Sequence, residues 1–187
     1  MFSQLVRQRR TIHQFENQAI DQNHIDQCLE AAIWAPNHGL TQPWRFFVIG
    51  QQSHAQLVDI YARTRADKRA EAGTEQYQTI YQKACEKFKA IPQVVLVGQQ
   101  QTTNATQSKE DYAACACAIQ NFQLMAWELG LGVQWSTGPI IQDPQTYQLI
   151  GTFDQDIELI GVLYIGYPAC VPNQLRKPIE AVTQYLA

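Results

Sequence analysis

Apolar positions recur at two periods along this chain, and the switch between them outlines the fold. Ile25, Cys28, Leu29, Ala32 and Ile33 fall three and four residues apart, which predicts a helix with Asp21 as its N-cap. That helix should stop before Pro36, because a residue preceding proline is pushed out of the α region. Ahead of it, Leu5 and Val6 followed by Arg7, Arg9 and Arg10 predict a short amphipathic helix running into a turn at Arg9-Arg10-Thr11. The stretch APNHGLTQPWRFFVIG begins as a loop, and from Arg45 to Gly50 it becomes a strand nearly continuous in Phe, Val and Ile. Residues 53 to 89 read as polar helix, divided at Gly73.

Val94 to Val97, just after Pro92, is apolar on both faces and predicts a central strand covered by helices. A loop from Gln99 to Gln107 leads into a helix from Ser108 to Leu129, with Ser108 and Asp111 as a capping box and Gly130 as its stop. Its middle, Ala113 to Ala126, is apolar nearly all round, as in the central helix of a domain or the core of a dimer interface. Residues 132 to 138 predict a third short strand, Asp143 opens another helix, and Glu158 to Gly166 predicts a fourth strand. No linker, internal repeat or low-complexity tract interrupts the order, so one domain is the simplest reading.

Composition narrows the function classes. The charged fraction of 17% is below the usual value of about 25%. The net charge of −3, with no basic run longer than Arg9-Arg10, argues against binding driven by nucleic-acid phosphates. No run of 18 apolar residues is present, and MFSQLVRQRR is too short and polar for a signal peptide, so a cytoplasmic protein is expected. Five cysteines in no disulfide or zinc spacing predict reduced, mostly buried thiols, and four histidines without ligand spacing predict no metal. Ser136 is in no nucleophile elbow, and no glycine-rich phosphate loop follows a strand, which disfavours a Rossmann enzyme.

Three polar clusters remain. Arg9, Arg10 and Thr11 form one, and Arg176 with Lys177 forms another; each is either phosphate-binding chemistry or a solvated basic patch. The third joins residues 35 to 50 with Trp135-Ser136-Thr137-Gly138 and offers indoles, amides and backbone donors suited to a flat heteroaromatic ring.

R-R-T, A-P-N-H-x-x-x-Q-P-W-R-F, A-W-E-L-G-L-G, W-S-T-G and R-K-P, in that order over essentially the whole chain, resemble the nitroreductase family in its short form. The resemblance implies a single domain over residues 1–187 of an α+β, three-layer α/β/α fold. Its central, mostly antiparallel sheet would be flanked by helices in an intertwined homodimer with two FMN sites in the interface. It implies an FMN-dependent NAD(P)H oxidoreductase that takes hydride at flavin N5 from NADH or NADPH and passes it, in ping-pong order, to a nitroaromatic, quinone or related acceptor. The alternative is a flavin-binding sensor or storage module with little turnover.

Carried across by motif, Arg9, Arg10 and Thr11 would hold the FMN phosphate and ribityl chain, completed by Arg176 or Lys177. Trp34, His38 and Gln42 would face the flavin of the other subunit, and Trp135, Ser136 and Thr137 would lie beside the isoalloxazine ring. Met125, Ala126, Trp127, Glu128, Leu129 and Gly130 match a stretch associated with the nicotinamide cofactor, although their helical spacing also suits packing. Thr11 stands where the family commonly has Ser, and Trp34 where some members carry a polar or charged residue. No catalytic side chain is implied, because the flavin carries the chemistry.

Overall fold

The computed structural model describes residues 1–152 and 156–186, and four antiparallel strands order everything else in it. The elements are α1 (Phe2–Gln8), α2 (Gln22–Ile33), β1 (Trp44–Ile49), α3 (Gln51–Asp67), α4 (Glu75–Lys89), β2 (Gln93–Gln100), α5 (Ala105–Glu128), β3 (Gly132–Ser136), α6 (Pro144–Leu149) and β4 (Ile157–Gly166). Short 3-10 turns lie at His38–Leu40, Pro139–Gln142 and Ile179–Ala181. Strand order is β1-β2-β4-β3, so β3 is an edge.

Alternation along β2 builds both cores. Val95 and Val97 face α2 and α5, while Val94 and Leu96 face α3 and α4. The result is the expected three-layer α/β/α arrangement around an antiparallel sheet. In β4, Leu163 and Ile165 join the first core, and Val162 and Tyr164 the second. Upstream the phase reverses, with Ile160 in the first core and Leu159 in the second. The reversal falls at a bulge, where Val97 stands opposite Gly161 and Gly98 opposite Leu159, leaving Ile160 as the extra residue.

Helix ends explain most boundaries. The Asp21 side chain accepts from Asn23 N–H at 3.0 Å, as the sequence suggested. The helix before and the helix after Gly73 are separate, and Gly73 has φ +87°. Gly130 (φ +79°) donates to the Trp127 carbonyl at 3.1 Å and Leu131 donates to the Ala126 carbonyl at 2.8 Å, the paired bonds of a Schellman stop.

The N-terminus of α5 differs from expectation. Asn104, not Ser108, caps it, its Oδ1 accepting from Thr106 and Gln107 N–H at 3.0 and 3.2 Å. Ser108 lies inside the first turn, and its carbonyl accepts from Gln99 Nε2 at 2.8 Å. Asp111 is buried and accepts from the Thr41 hydroxyl at 2.7 Å, so it is tied to a distant loop and not to its own helix start. Strand β2 also runs on to Gln100, which shortens the expected loop.

One face of α5 (Ala114, Cys115, Ala118, Ile119, Phe122, Ala126) is buried within the chain, and Tyr112, Ala113 and Cys117 are exposed on the other. Helix α1 buries nothing.

All five cysteines are free. Burial pushes the Cys28 thiol up to about 12, and burial reinforced by the Asp111 charge does the same for Cys115. Both should resist a thiolate-specific reagent at pH 8 and react only on unfolding. Because they ionise near 9 when unfolded, they withdraw stability as pH rises from about 9 to about 12. Rapid modification of all five thiols in the folded protein would contradict this burial.

Candidate functional site

A strap between α1 and α2 carries the first cluster. Ile12 is fully buried, and its N–H donates to the Val133 carbonyl at 3.2 Å. Gly132 makes room for it, since a Cβ there would lie 2.7 Å from Cβ of Ile12. Thr11 bridges Val133, and further on Ala169 N–H donates to the Gln14 carbonyl at 3.0 Å. These bonds fix Arg9, Arg10 and Thr11 beside β3.

The C-terminal segment arrives at the same place. Arg10 Nη2 donates to the Gln174 carbonyl at 3.5 Å, and its Nη1 donates to the carbonyls of Arg7 and Arg9 at 2.6 and 2.8 Å. Arg9 Nη1 donates to Oε1 of Gln123, a buried residue of α5, at 3.3 Å. Burial, then the charges of Arg176 and Arg10, hold the Arg9 guanidinium below the ordinary arginine range. Among the described residues the only arginine in an ion pair is Arg63, with Asp67 and Asp143. The Nε atoms of Arg9 and Arg10 are buried without a partner. Among the described residues none of the guanidinium groups of Arg9, Arg10 and Arg176 forms an ion pair with a carboxylate, and a multiply charged oxyanion would supply the missing counter-charge. Of the two C-terminal cations, Arg176 is the one whose charge reaches Arg9; Lys177 is exposed and makes no hydrogen bond or ion pair among the described residues.

The family model for the nitroreductase family matches residues 6–167. The chain belongs to the nitroreductase family. Among relatives, the Bacillus subtilis (strain 168) protein "Putative NAD(P)H nitroreductase YfhC" is 32% identical over 178 residues, covering 94% of this chain and 89% of that protein. A nitroreductase-like family protein from Bacillus cereus superposes with a TM-score of 0.85 at 28% identity, over 100% of this chain and 96% of the other. A structure described as a putative nitroreductase in complex with FMN, from Desulfovibrio desulfuricans, shares the fold with a TM-score of 0.76 at 23% identity, over 99% and 96%.

In this nitroreductase-family chain the strap that carries the cluster bridges β3 at Val133, two residues before Trp135. Trp135 is half-buried over Gly161, and its Nε1 is buried without a partner. Ser136 Oγ accepts from Gly138 N–H at 3.3 Å, and Thr137 is exposed. On the opposite face of β3, Gln134 stands across from Tyr164 and opens into a cavity of about 420 Å³. His13, Tyr61, Arg65 and Lys87 also line it. Arg65 lies over the Tyr61 ring at 4.9 Å, and its Nε has no partner. Burial, then the Tyr61 neighbour, pushes the Tyr164 hydroxyl up.

Sequence reading missed His13, Arg65, Lys87, Gln134 and Gln123. His13 had a usable signal, being two residues past Thr11 on an extended strap. Gln134 sat inside a strand already singled out. Nothing local marks Gln123, Arg65 or Lys87, which are polar positions of helices.

The remaining candidates stand apart from this cavity in the single subunit. Trp34 is 78% exposed, with Nε1 donating to Glu30 Oε1 at 3.2 Å, so it is no core residue of its own chain. His38 and Gln42 are exposed at the two ends of a strained loop. Gly39, Leu40 and Gln42 have φ of +62°, +53° and +45°, and for Leu and Gln that costs roughly 1–3 kcal/mol each. Gln42 N–H donates to Asn37 Oδ1 at 3.0 Å, which together with Thr41–Asp111 holds the shape. Trp44 is buried in the core shared with α2 and α5. Met125, Ala126 and Leu129 pack on the α2/α5 core, Trp127 is half-buried, Glu128 is exposed and Gly130 forms the helix stop; their contacts are those of a helix end.

Proposed function

We propose that this chain is an FMN-dependent NAD(P)H oxidoreductase working as a homodimer, with a flavin site in each half of the subunit interface. The observation that carries the reading is the grouping of Arg9, Arg10 and Arg176, with no ion-pair partner among the described residues, at edge strand β3, whose Gln134 opens into a cavity of about 420 Å³. The name of the Bacillus subtilis relative carries NAD(P)H and nitroreductase, and the Desulfovibrio structure is described with FMN; both support it.

When bound, FMN supplies a hydride relay from NADH or NADPH to a nitroaromatic, quinone or related acceptor. The chain's own residues bind and orient it. Arg9, Arg10 and Arg176 would hold the phosphate as charge-assisted donors, and Thr11 would add a neutral hydroxyl. Trp135, Ser136 and Thr137 form the strand end against the ring. His13, Gln134, Arg65 and Lys87, which line the cavity, would offer donors and positive charge to the bound flavin and would favour negative charge there. Trp34, His38 and Gln42, exposed in this chain, would contribute to the flavin site of the partner in the homodimer.

Purified protein should be yellow, carry one FMN per chain and sediment as a dimer. Steady-state oxidation of NADH or NADPH with a nitroarene or quinone should give the parallel double-reciprocal lines of ping-pong kinetics. A colourless protein that ignores added FMN would refute the flavin reading; bound flavin with negligible turnover would mark a storage or sensing module.

A further inference from the structure

One buried carboxylate takes no part in the flavin site described above. Asp111 is 3% exposed on α5, on the face that also carries Ala114, Cys115 and Ala118. Burying a carboxylate is costly unless hydrogen bonds compensate. Among the described residues its side chain accepts from the Thr41 hydroxyl at 2.7 Å. Its charge also helps to push up the Cys115 thiol one turn on. A charged group is thus kept in the interior, and its hydrogen bond reaches out to a surface loop 70 positions away.

Thr41 sits where that loop needs holding. It has ordinary right-handed angles, φ −64° and ψ −28°, between Leu40 and Gln42, which are left-handed at φ +53° and +45°. Neither neighbour is Gly or Asn, so the alternation persists only where surrounding bonds impose it. Downstream, the loop is tied to the sheet: Arg45 Nη1 donates to the Gln42 carbonyl at 3.1 Å, and Nη2 donates to Gln100 Oε1 at 3.0 Å. Upstream, Gln42 N–H donates to Asn37 Oδ1 at 3.0 Å, within the loop itself. The Thr41–Asp111 bond ties the middle of the loop to α5. Without it Leu40 and Gln42 can relax together towards negative φ, and the exposed side chains of His38 and Gln42 lose their fixed presentation.

We infer that Asp111 is a positioning residue for the electron acceptor: through Thr41 it sets the 38–42 loop so that the His38 imidazole and the Gln42 amide meet the oxygens of a nitroaromatic or quinone. The inference rests on the reductase reading above and adds to that site a residue that touches neither flavin nor acceptor. Both acceptor classes present oxygen acceptors at the rim of a flat ring, and both side chains can donate to them. Hydrogen bonds weaken steeply with misalignment, so donors that wander with the loop hold the acceptor poorly. The latch therefore acts on acceptor binding and leaves the hydride step at the flavin alone.

Four variants test it. Thr41→Val and Asp111→Ala break the bond; Thr41→Ser and Asp111→Asn keep a hydroxyl and an acceptor oxygen. Thr41 is exposed, so Thr41→Val keeps the fold even if Asp111→Ala does not. Hydrogen–deuterium exchange over residues 36–46 reads the latch without any turnover, and steady-state kinetics with p-benzoquinone and nitrobenzoate read its effect. The breaking variants should exchange about tenfold faster in this loop and raise the acceptor KM about tenfold with kcat changed by less than about twofold. The two conservative variants should behave as the parent in both measurements. In a His38→Ala/Gln42→Ala background Thr41→Val should add little to KM, because the groups it positions are gone. Unchanged loop exchange or unchanged acceptor KM in Thr41→Val overturns the inference, as does a full further loss in the doubly substituted background. A yellow, active parent with an indifferent Thr41→Val sinks the latch alone; a parent that binds no flavin and turns nothing over refutes the reductase reading and the acceptor role with it.

Discussion

Replacing Gln123 by Glu is expected to weaken FMN binding by roughly 10- to 100-fold while leaving riboflavin binding nearly unchanged, the span that follows from losing one charge-assisted bond of about 1.5–3 kcal/mol. Gln123 is 7% exposed on α5, and its Oε1 accepts from Arg9 Nη1 at 3.3 Å. The amide aims the guanidinium without neutralising it. A carboxylate of the same shape would keep the aim and supply a buried counter-charge to Arg9. The phosphate would then compete with a partner already in place. Because riboflavin has no phosphate, the ratio of the two affinities separates this effect from damage to the helix. Arg9→Ala should show the same preference, losing FMN affinity more than riboflavin affinity. Equal losses for both ligands, or none, would dismantle the phosphate assignment.

Gly161→Ala is expected to cost about 1–3 kcal/mol by overpacking, lowering Tm by roughly 2–12 °C in a chain of this size. The added Cβ would fall 2.6 Å from Cδ1 of Trp135 and nearer still to its Nε1. Strand β4 is paired on both sides and already bulged here, so the indole and not the backbone must yield. Displacing Trp135 removes the wall at the end of β3, and FMN affinity should fall together with stability. Combining Gly161→Ala with Trp135→Phe, whose ring is smaller, should recover part of the loss in melting temperature. A single variant as stable as the parent would show that the indole is loosely held.

Patterns of one element were legible in the residues. The two-sided apolarity of Val94 to Val97 announced a central strand, and Gly130 announced the end of α5. Ser108 misled because Ser and Asp three apart mimic a capping box; Asn104 lay four residues earlier in what read as loop. The bulge was invisible, because only pairing against Val97 and Gly98 reveals that Ile160 is supernumerary. At the site, paired arginines were conspicuous and Gln123 was not. A glutamine's value there depends on which guanidinium it meets 114 positions away. Nothing in the residues around Trp34 reveals its exposure, which only the fold shows.

The loop at Gly39, Leu40 and Gln42 has its backbone dihedrals set at the moment of folding, against local preference. Whatever approaches Leu40 and Gln42 therefore encounters groups whose main-chain orientation needs no further ordering. The entropic share of recognition has been transferred from association to folding. The outer surface of this chain is, on that side, stiff before it is touched.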